Sequence, residues 1–299
     1  MSLPGDWAKR LIEAAWDPAA SRKVLDTLTA HHTSTPDILQ RSPDGGIALL
    51  NFLTFSPVSF EKVMRRPELL EWLTGSDVLN PRRGGRSGRR VEPIAGDASY
   101  EALQRWKSQE MLRIAFREIA GLADFSETTR DITEVAEICV GQAYQGVLHS
   151  LGKHWGNPDT GFGILAMGKF GGYELNYSSD IDVIFFYGED GYLNPRFTFH
   201  EFFTRLAEKS LKSFRSSLFR YSVLISGFDR KGASDHSFAR SPASKITTPD
   251  TAKPGSAWPS LKPAGSVAMR SCSMSSNTGS NPSFFRGPCR LIFWKRSLT

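Results

Sequence analysis

From the first residues to about position 155, apolar positions recur every three or four residues, the spacing of one face of an α-helix. "GIALLNFLTFSPVSFEKVMRRPELLEWLTGS", residues 46–76, alternates such stretches with turn signals, and Pro57 and Pro67 each suit a helix start. "YEALQRWKSQEMLRIAFREIAGL", residues 100–122, predicts a long amphipathic helix through Leu112, Ala115, Phe116, Ile119 and Leu122, with Gly121 at its end. Asp124 and Glu127 mark the next start in the manner of a capping box. The stripe Ile132, Val135, Ala136, Cys139, Ala143, Val147, Leu151 then predicts a second helix packed antiparallel on the first. Cys139 lies on that stripe, so it belongs to packing rather than thiol chemistry. At residue 162 the period changes. "FGILAM" is a glycine-bounded apolar run and "DIDVIFFY", residues 180–187, alternates; both predict strands. Between them "GKFGGYELNYSS" predicts a loop with a short helical turn.

The chain has 299 residues, enough for one large or two ordinary domains. A helical region is expected over 1–155, an α/β region over 156–209, and a third region over 210–299. Inside the first, residues 76–98 read as a flexible basic loop. It contains "NPRRGGRSGRR", and five arginines among three glycines are more simply a solvated connection than a grip on phosphates. The amino terminus has no secretory pattern, and no apolar run approaches the ~20 residues of a membrane span. Three cysteines show no metal-type spacing, the histidines no ligand spacing, and a cytoplasmic location is expected.

Charge sharpens the division. The formal net charge of +6 is uneven: residues 210–299 carry 14 basic and 3 acidic side chains, and 20 of those 90 residues are serine. Residues 1–209 carry 23 basic and 28 acidic side chains. The basic balance therefore belongs to the tail and implies no specific nucleic-acid partner. A disordered tail is one reading.

The chemistry concentrates between 166 and 187. Alternation on "DIDVIFFY" places Asp180 and Asp182 on one face near the start of the strand. Two such carboxylates suit one or two Mg²⁺ ions, which bridge the phosphates of a nucleotide. Gly171 and Gly172 would let backbone amides approach a phosphate, Lys169 adds positive charge, and Ser178 and Ser179 can donate hydrogen bonds. "GILAMGK" has P-loop spacing, but Phe170 stands where the metal-binding hydroxyl belongs, and no G-x-G-x-x-G is present. Asp-x-Asp alone is a weak signal and often only a solvated strand entrance. Glycine pair, polar loop, two serines, Asp-x-Asp and an apolar strand together are stronger.

That succession resembles the signature of the nucleotidyltransferase superfamily. More narrowly, "AMGKFGGYELNYSSDIDVIFFY" is similar to the bacterial glutamine synthetase adenylyltransferases, which are also adenylyl-removing enzymes. "FSPVSFEKVMRRPELLEWL" and "KSQEMLRIAFREIAGLADFSETTRDITEVAE" resemble that family's amino-terminal helical region, so the resemblance covers roughly residues 45–209. It implies an α+β fold: a helical amino-terminal region followed by the first half of a nucleotidyltransferase α/β domain with a mixed sheet, then a disordered tail. It implies Asp180 and Asp182 as catalytic metal ligands, Gly171 and Gly172 as the phosphate turn, Ser178, Ser179 and Lys169 as supporting contacts, and Mg²⁺ as cofactor. Glutamine synthetase would be the protein partner and ATP or ADP the nucleotide. The reaction implied is phosphorolytic removal of AMP from a glutamine synthetase tyrosine, in the service of nitrogen control.

The family places a third carboxylate in a segment like "VFRVDLRLRPEG", which this chain does not print. At that distance it has "YSVLISGFDRKG", residues 221–232. If each codon takes the last base of one printed codon and the first two of the next, all twelve residues can spell the family segment, with aspartate where Ile225 stands. "KITTPDTAKPGSAWPSLKPA", residues 245–264, slips by the same single base to ENYYTRHGETWERLALIKAR, which resembles the family's next block. The reading is an out-of-frame translation from about residue 210, leaving a truncated domain expected to be inactive. Cys272 and Cys289 then carry no inference. The competing readings are a real basic tail, a non-catalytic fragment that binds glutamine synthetase or nucleic acid through basic segments, and a nucleotidyltransferase with another acceptor.

Overall fold

The computed structural model describes residues 6–79, 98–215, 221–227, 236–237 and 290–295. In chain order these form α1 (Asp6–Ala14), α2 (Pro18–His31), α3 (Thr35–Arg41), α4 (Pro43–Phe55), α5 (Pro57–Arg65), α6 (Glu68–Leu73), α7 (Ser76–Leu79), α8 (Ala98–Ile119) and α9 (Phe125–Trp155). Then come β1 (Phe162–Met167), α10 (Gly168–Gly171), β2 (Ile181–Tyr187), β3 (Tyr192–Asn194), β4 (Phe197–Thr198), α11 (Phe199–Arg215), β5 (Tyr221–Gly227), β6 (His236–Ser237) and β7 (Arg290–Lys295). No single helix among the described residues is long and apolar enough to cross a membrane. The chain divides into two units, Met1–Arg86 with Ser108–Asp131, and Ser87–Lys107 with Ile132–Thr299.

The first unit is helical around one apolar core in which Leu25, Leu50, Phe52, Leu70, Leu73 and Phe116 are almost fully buried. Prolines open several of its helices. Pro57 is the first residue of α5, where a missing N–H costs nothing, and the Ser56 hydroxyl accepts from the Ser59 N–H. The expected basic loop begins later than its composition suggests. Residues 76–79 form α7, because Val78 is buried and its carbonyl accepts from Arg117 at 2.6 Å. The rest of that expected loop, 80–97, lies outside the described residues.

The turn between α8 and α9 follows from its residues. Gly121 takes φ +68°, its N–H donates to the Glu118 carbonyl, and the Leu122 N–H donates to the Arg117 carbonyl. That is a Schellman ending, and glycine is the residue that adopts it without strain. Asp124 then caps α9 by accepting from the Glu127 N–H at 2.7 Å. Glu127 itself ion-pairs with buried Arg117 at 2.8 Å. One step away, buried Arg113 pairs with Glu110 at 2.8 Å and Asp131 at 2.7 Å. Pairs 113–131 and 117–127 converge on the turn, so the expected antiparallel arrangement of the two helices is what forms.

In the second unit the sheet order is β6-β5-β2-β1-β7. β1 runs antiparallel to β2 and β7, while β5 runs parallel to β2, so the sheet is mixed. One face is sealed by aromatic rings. Phe162 stacks between Tyr144 of α9 at 5.1 Å and Phe203 of α11 at 5.1 Å, and Tyr187 stacks on Phe203 at 5.0 Å. Such offset contacts bury large areas and fix ring geometry. The opposite face, with Leu165, Met167, Ile184 and Phe186, is half-buried. Phe186 lies over Gly163, where an added Cβ would stand 2.3 Å from its ring. Glycine at that strand position is the room the ring needs.

Two features bear on the expected tail. α11 continues through residue 210 to Arg215, with Leu211 buried. Three pieces of the segment expected to be disordered are strands: β5, β6 and β7. "YSVLISG" and "RLIFWK" are apolar, β-branched or aromatic runs, and an open sheet edge pairs with such runs. The remaining tail residues lie outside the described set.

Candidate functional site

β1 ends at Met167, the chain turns at Gly168, and α10 makes one helical turn over Gly168–Gly171. Gly168 takes φ +56°, a conformation L side chains rarely adopt. A Cβ there would stand 3.2 Å from Asp182 Oδ2. Met167 is the cross-strand partner of Asp182. The glycine turn and the carboxylate are therefore neighbours through the β1–β2 pairing itself.

Asp180 and Asp182 are both exposed, while Ile181 and Val183 between and after them are buried. This alternation places both carboxylates on one side of the strand start, as the pattern predicted. Of the expected phosphate turn, Gly171 is buried at the end of α10 and Gly172 caps it at φ −87°. Neither conformation requires glycine. The glycine that the backbone demands is Gly168, which the sequence reading had passed over within "AMGK". Its signal was present as a glycine directly after a strand. Lys169 is exposed and makes no ion pair among the described residues.

The polar loop leading to Asp180 is braced from within. The Ser179 hydroxyl accepts from the Asn176 N–H at 3.0 Å and donates to Asn176 Oδ1 at 2.9 Å. The Ser178 N–H donates to the same Oδ1 at 3.1 Å. Ser179 thus holds the turn, and the exposed Ser178 is the serine with the freer hydroxyl. Upstream, Leu175 is fully buried and its N–H donates to Thr133 Oγ1 of α9 at 3.4 Å. Tyr173 takes φ +61°, unusual for a side chain of that size, and its ring and hydroxyl meet Arg290 of β7.

β5 lies beside β2 in parallel register, with Ser222 opposite Asp182 and Ile225 opposite Phe185. No cluster of three or more candidate metal-binding side chains occurs among the described residues.

The family model for glutamate–ammonia ligase adenylyltransferase matches residues 47–219, more than half of the chain. The chain belongs to this family. It is one of nucleotidyltransferases. Three relatives each bear the name bifunctional glutamine synthetase adenylyltransferase/adenylyl-removing enzyme. That of Methylococcus capsulatus is 40% identical over 129 residues, 40% of this chain and 14% of its own length. That of Thioalkalivibrio sulfidiphilus is 35% identical over 163 residues, 50% of this chain and 17% of its own. That of Hahella chejuensis is 29% identical over 252 residues, 76% of this chain and 24% of its own. The matched stretches thus span less than a quarter of these relatives. The adenylyltransferase match begins within α4, contains α5–α11, β1–β4 and both aspartates, and stops before β5.

Proposed function

We propose that this chain carries the opening half of an adenylyl-removing site of the glutamine synthetase adenylylation system, acting in the cytoplasm on nitrogen metabolism. The observation that supports this best is the exposed Asp180–Asp182 pair beside a left-handed Gly168, within the stretch that matches the family. A Cβ at Gly168 would stand 3.2 Å from Asp182 Oδ2, so the glycine keeps side-chain bulk away from a carboxylate pair whose oxygens suit a small hard cation.

In this reading Asp180 and Asp182 would hold Mg²⁺. When bound, the ion neutralises charge on the phosphates and stabilises the attacking and leaving oxygens. The braced Asn176–Ser179 turn sets where Asp180 stands, so the carboxylate pair is preorganised rather than gathered by the ligand. The amides of the Gly168–Gly172 turn, Lys169 and the Ser178 hydroxyl line the approach for phosphate oxygens. The substrate is AMP esterified to a glutamine synthetase tyrosine: inorganic phosphate attacks the adenylyl phosphorus, the P–O bond to the tyrosine breaks with the tyrosine oxygen as leaving group, and the products are ADP and the free tyrosine.

The segment from about residue 210 is read as out of frame, and the third carboxylate is lost with it. Its aspartate belongs at position 225 in the slipped reading. The chain as printed is accordingly expected to show at most background activity.

The test is phosphorolysis of adenylylated glutamine synthetase, with ADP release measured for two proteins. One is this chain; the other is encoded after a one-base correction near codon 210. Activity in the second that disappears with Asp182→Asn supports the reading. Activity in neither, from soluble folded proteins, sinks it. An open frame in the DNA with no recoverable family frame removes the frame argument alone. Binding of glutamine synthetase that persists without Asp180, Asp182 and residues 210–299 would favour the non-catalytic alternative.

A further inference from the structure

We infer that Asn176 is the positioning residue for Asp180, setting where that carboxylate meets the metal; this rests on reading Asp180 and Asp182 as the pair that holds the ion. The two aspartates are placed by different means. Asp182 lies within β2 and is paired on both sides, with Met167 of β1 and Ser222 of β5. β2 begins at Ile181, so Asp180 stands just outside the strand and has no cross-strand partner among the described residues. Its place is set by the turn that delivers it.

One side chain closes that turn. Asn176 Oδ1 accepts from the Ser178 N–H at 3.1 Å and from the Ser179 hydroxyl at 2.9 Å. The same hydroxyl accepts from the Asn176 N–H at 3.0 Å, and the Ser179 N–H donates to the Asn176 carbonyl at 3.1 Å. A backbone N–H can only donate, so the Ser178 amide fixes the Asn176 side chain with its oxygen inward. An acceptor that reaches the N–H two residues on is what Asn and Asp supply, and alanine has none. The turn is also anchored at both ends. Leu175 before it is fully buried, with its N–H on Thr133 Oγ1 of α9, and Ile181 after it is fully buried at the start of β2. Asp180 is the one residue between the Asn176–Ser179 closure and the strand. With Leu175 and Ile181 fixed, the Asn176 oxygen decides the path of the chain between them, and so where Asp180 begins. Groups that hold a ligand in place are worth about 10–100-fold in metal affinity.

Binding of Mn²⁺ to the whole chain, followed by electron paramagnetic resonance, tests this, with thermal melts on the same samples. Asn176→Ala loses the acceptor and weakens Mn²⁺ about tenfold. Ser179→Ala breaks the closure from its other end, leaves Asn176 in place, and weakens Mn²⁺ similarly. Asn176→Asp keeps an acceptor where the amide oxygen was and binds Mn²⁺ as tightly as the unaltered chain or more so. Asp182→Asn weakens Mn²⁺ whatever the turn does. A merely structural Asn176 would lower the melting temperature of its alanine variant and leave the Mn²⁺ affinity alone. If a folded alanine variant binds within about twofold of the unaltered chain, or if Asn176→Asp loses as much as Asn176→Ala, the positioning role is overturned. When Asp182→Asn still weakens Mn²⁺, the site reading survives that result. Indifference to Asp182→Asn, or no Mn²⁺ binding by the unaltered chain, removes site and positioning together. Should one alanine variant fail to fold, the other decides.

Discussion

Gly168, the residue directly after β1, stands so close to Asp182 of β2 that a side chain on the glycine would begin 3.2 Å from the aspartate's Oδ2. Gly168 also holds φ +56°. Gly168→Ala combines a left-handed strain of about 1 kcal/mol with crowding of the carboxylate. The expected result is a protein that still folds and melts a few degrees lower, with Mg²⁺-dependent ADP binding weakened at least tenfold. Thermal melts and equilibrium dialysis on the same sample separate the two effects. Unchanged ADP affinity would remove Gly168 from the site.

Correcting the frame carries a register prediction. In this chain Ser222 pairs with Asp182 and Ile225 with Phe185. The slipped reading of 221–232 is VFRVDLRLRPEG, with apolar letters at 221, 222, 224, 226 and 228 and its aspartate at 225. Register decides whether that aspartate joins the face of Asp182, because one step flips every side chain. The frame-corrected protein is expected to bind Mn²⁺ more tightly than this chain, measured by electron paramagnetic resonance. Equal affinities would argue that position 225 does not join the pair.

The sequence carried those parts of this picture that depend on local period and turn chemistry. The stripe from Ile132 to Leu151 foretold α9, and "FGILAM" foretold β1 to the residue. Alternation alone placed Asp180 and Asp182 on one face. What escaped depends on partners distant in the chain. Val78 reads as part of a loop until Arg117, 39 residues on, takes its carbonyl. The importance of Gly168 comes from a carboxylate across the sheet, whereas the adjacent pair Gly171–Gly172 draws the eye and needs no glycine conformation. Thr198 and Glu201, three apart, spell a capping box at the start of α11.

Cys139 is fully buried on α9, and burial pushes its thiol up to about 12. At pH 8 it remains a thiol, and a thiolate is what alkylating agents need. Iodoacetamide treatment of the folded chain, followed by peptide mapping, is expected to leave Cys139 unmodified until denaturant is added. Rapid labelling in the folded chain would show that α9 is not packed as described.

The buried Arg113 offers a stability test. It holds Glu110 and Asp131 at 2.8 and 2.7 Å with 2% of its side chain exposed. Removing one partner strands a buried charge, so Arg113→Ala is expected to cost about 3–5 kcal/mol in urea unfolding. Replacing Arg113 and Glu110 together by Met and Leu is expected to recover much of that loss, because apolar packing removes the need to pair. A double variant as unstable as Arg113→Ala would mean that the charges themselves hold this turn together.

The start of α11 has a pH signature. Glu201 Oε2 accepts from the Thr198 N–H at 2.9 Å, and the Thr198 hydroxyl accepts from the Glu201 N–H at 3.1 Å. These two bonds close a reciprocal cap, and the Thr198 donors hold the Glu201 carboxyl below its ordinary 4.5. A carboxyl lowered on folding contributes stability that is fully present above its unfolded value and is lost as pH falls through the folded one. Glu201→Ala is therefore expected to melt lower than the unaltered chain at pH 7, with the gap narrowing below pH 4.5 as protonation weakens the same bond in both proteins. Melts followed by circular dichroism across that range read the gap directly. A gap of the same size at pH 3 and pH 7 would show that the Glu201 charge does not contribute to the cap.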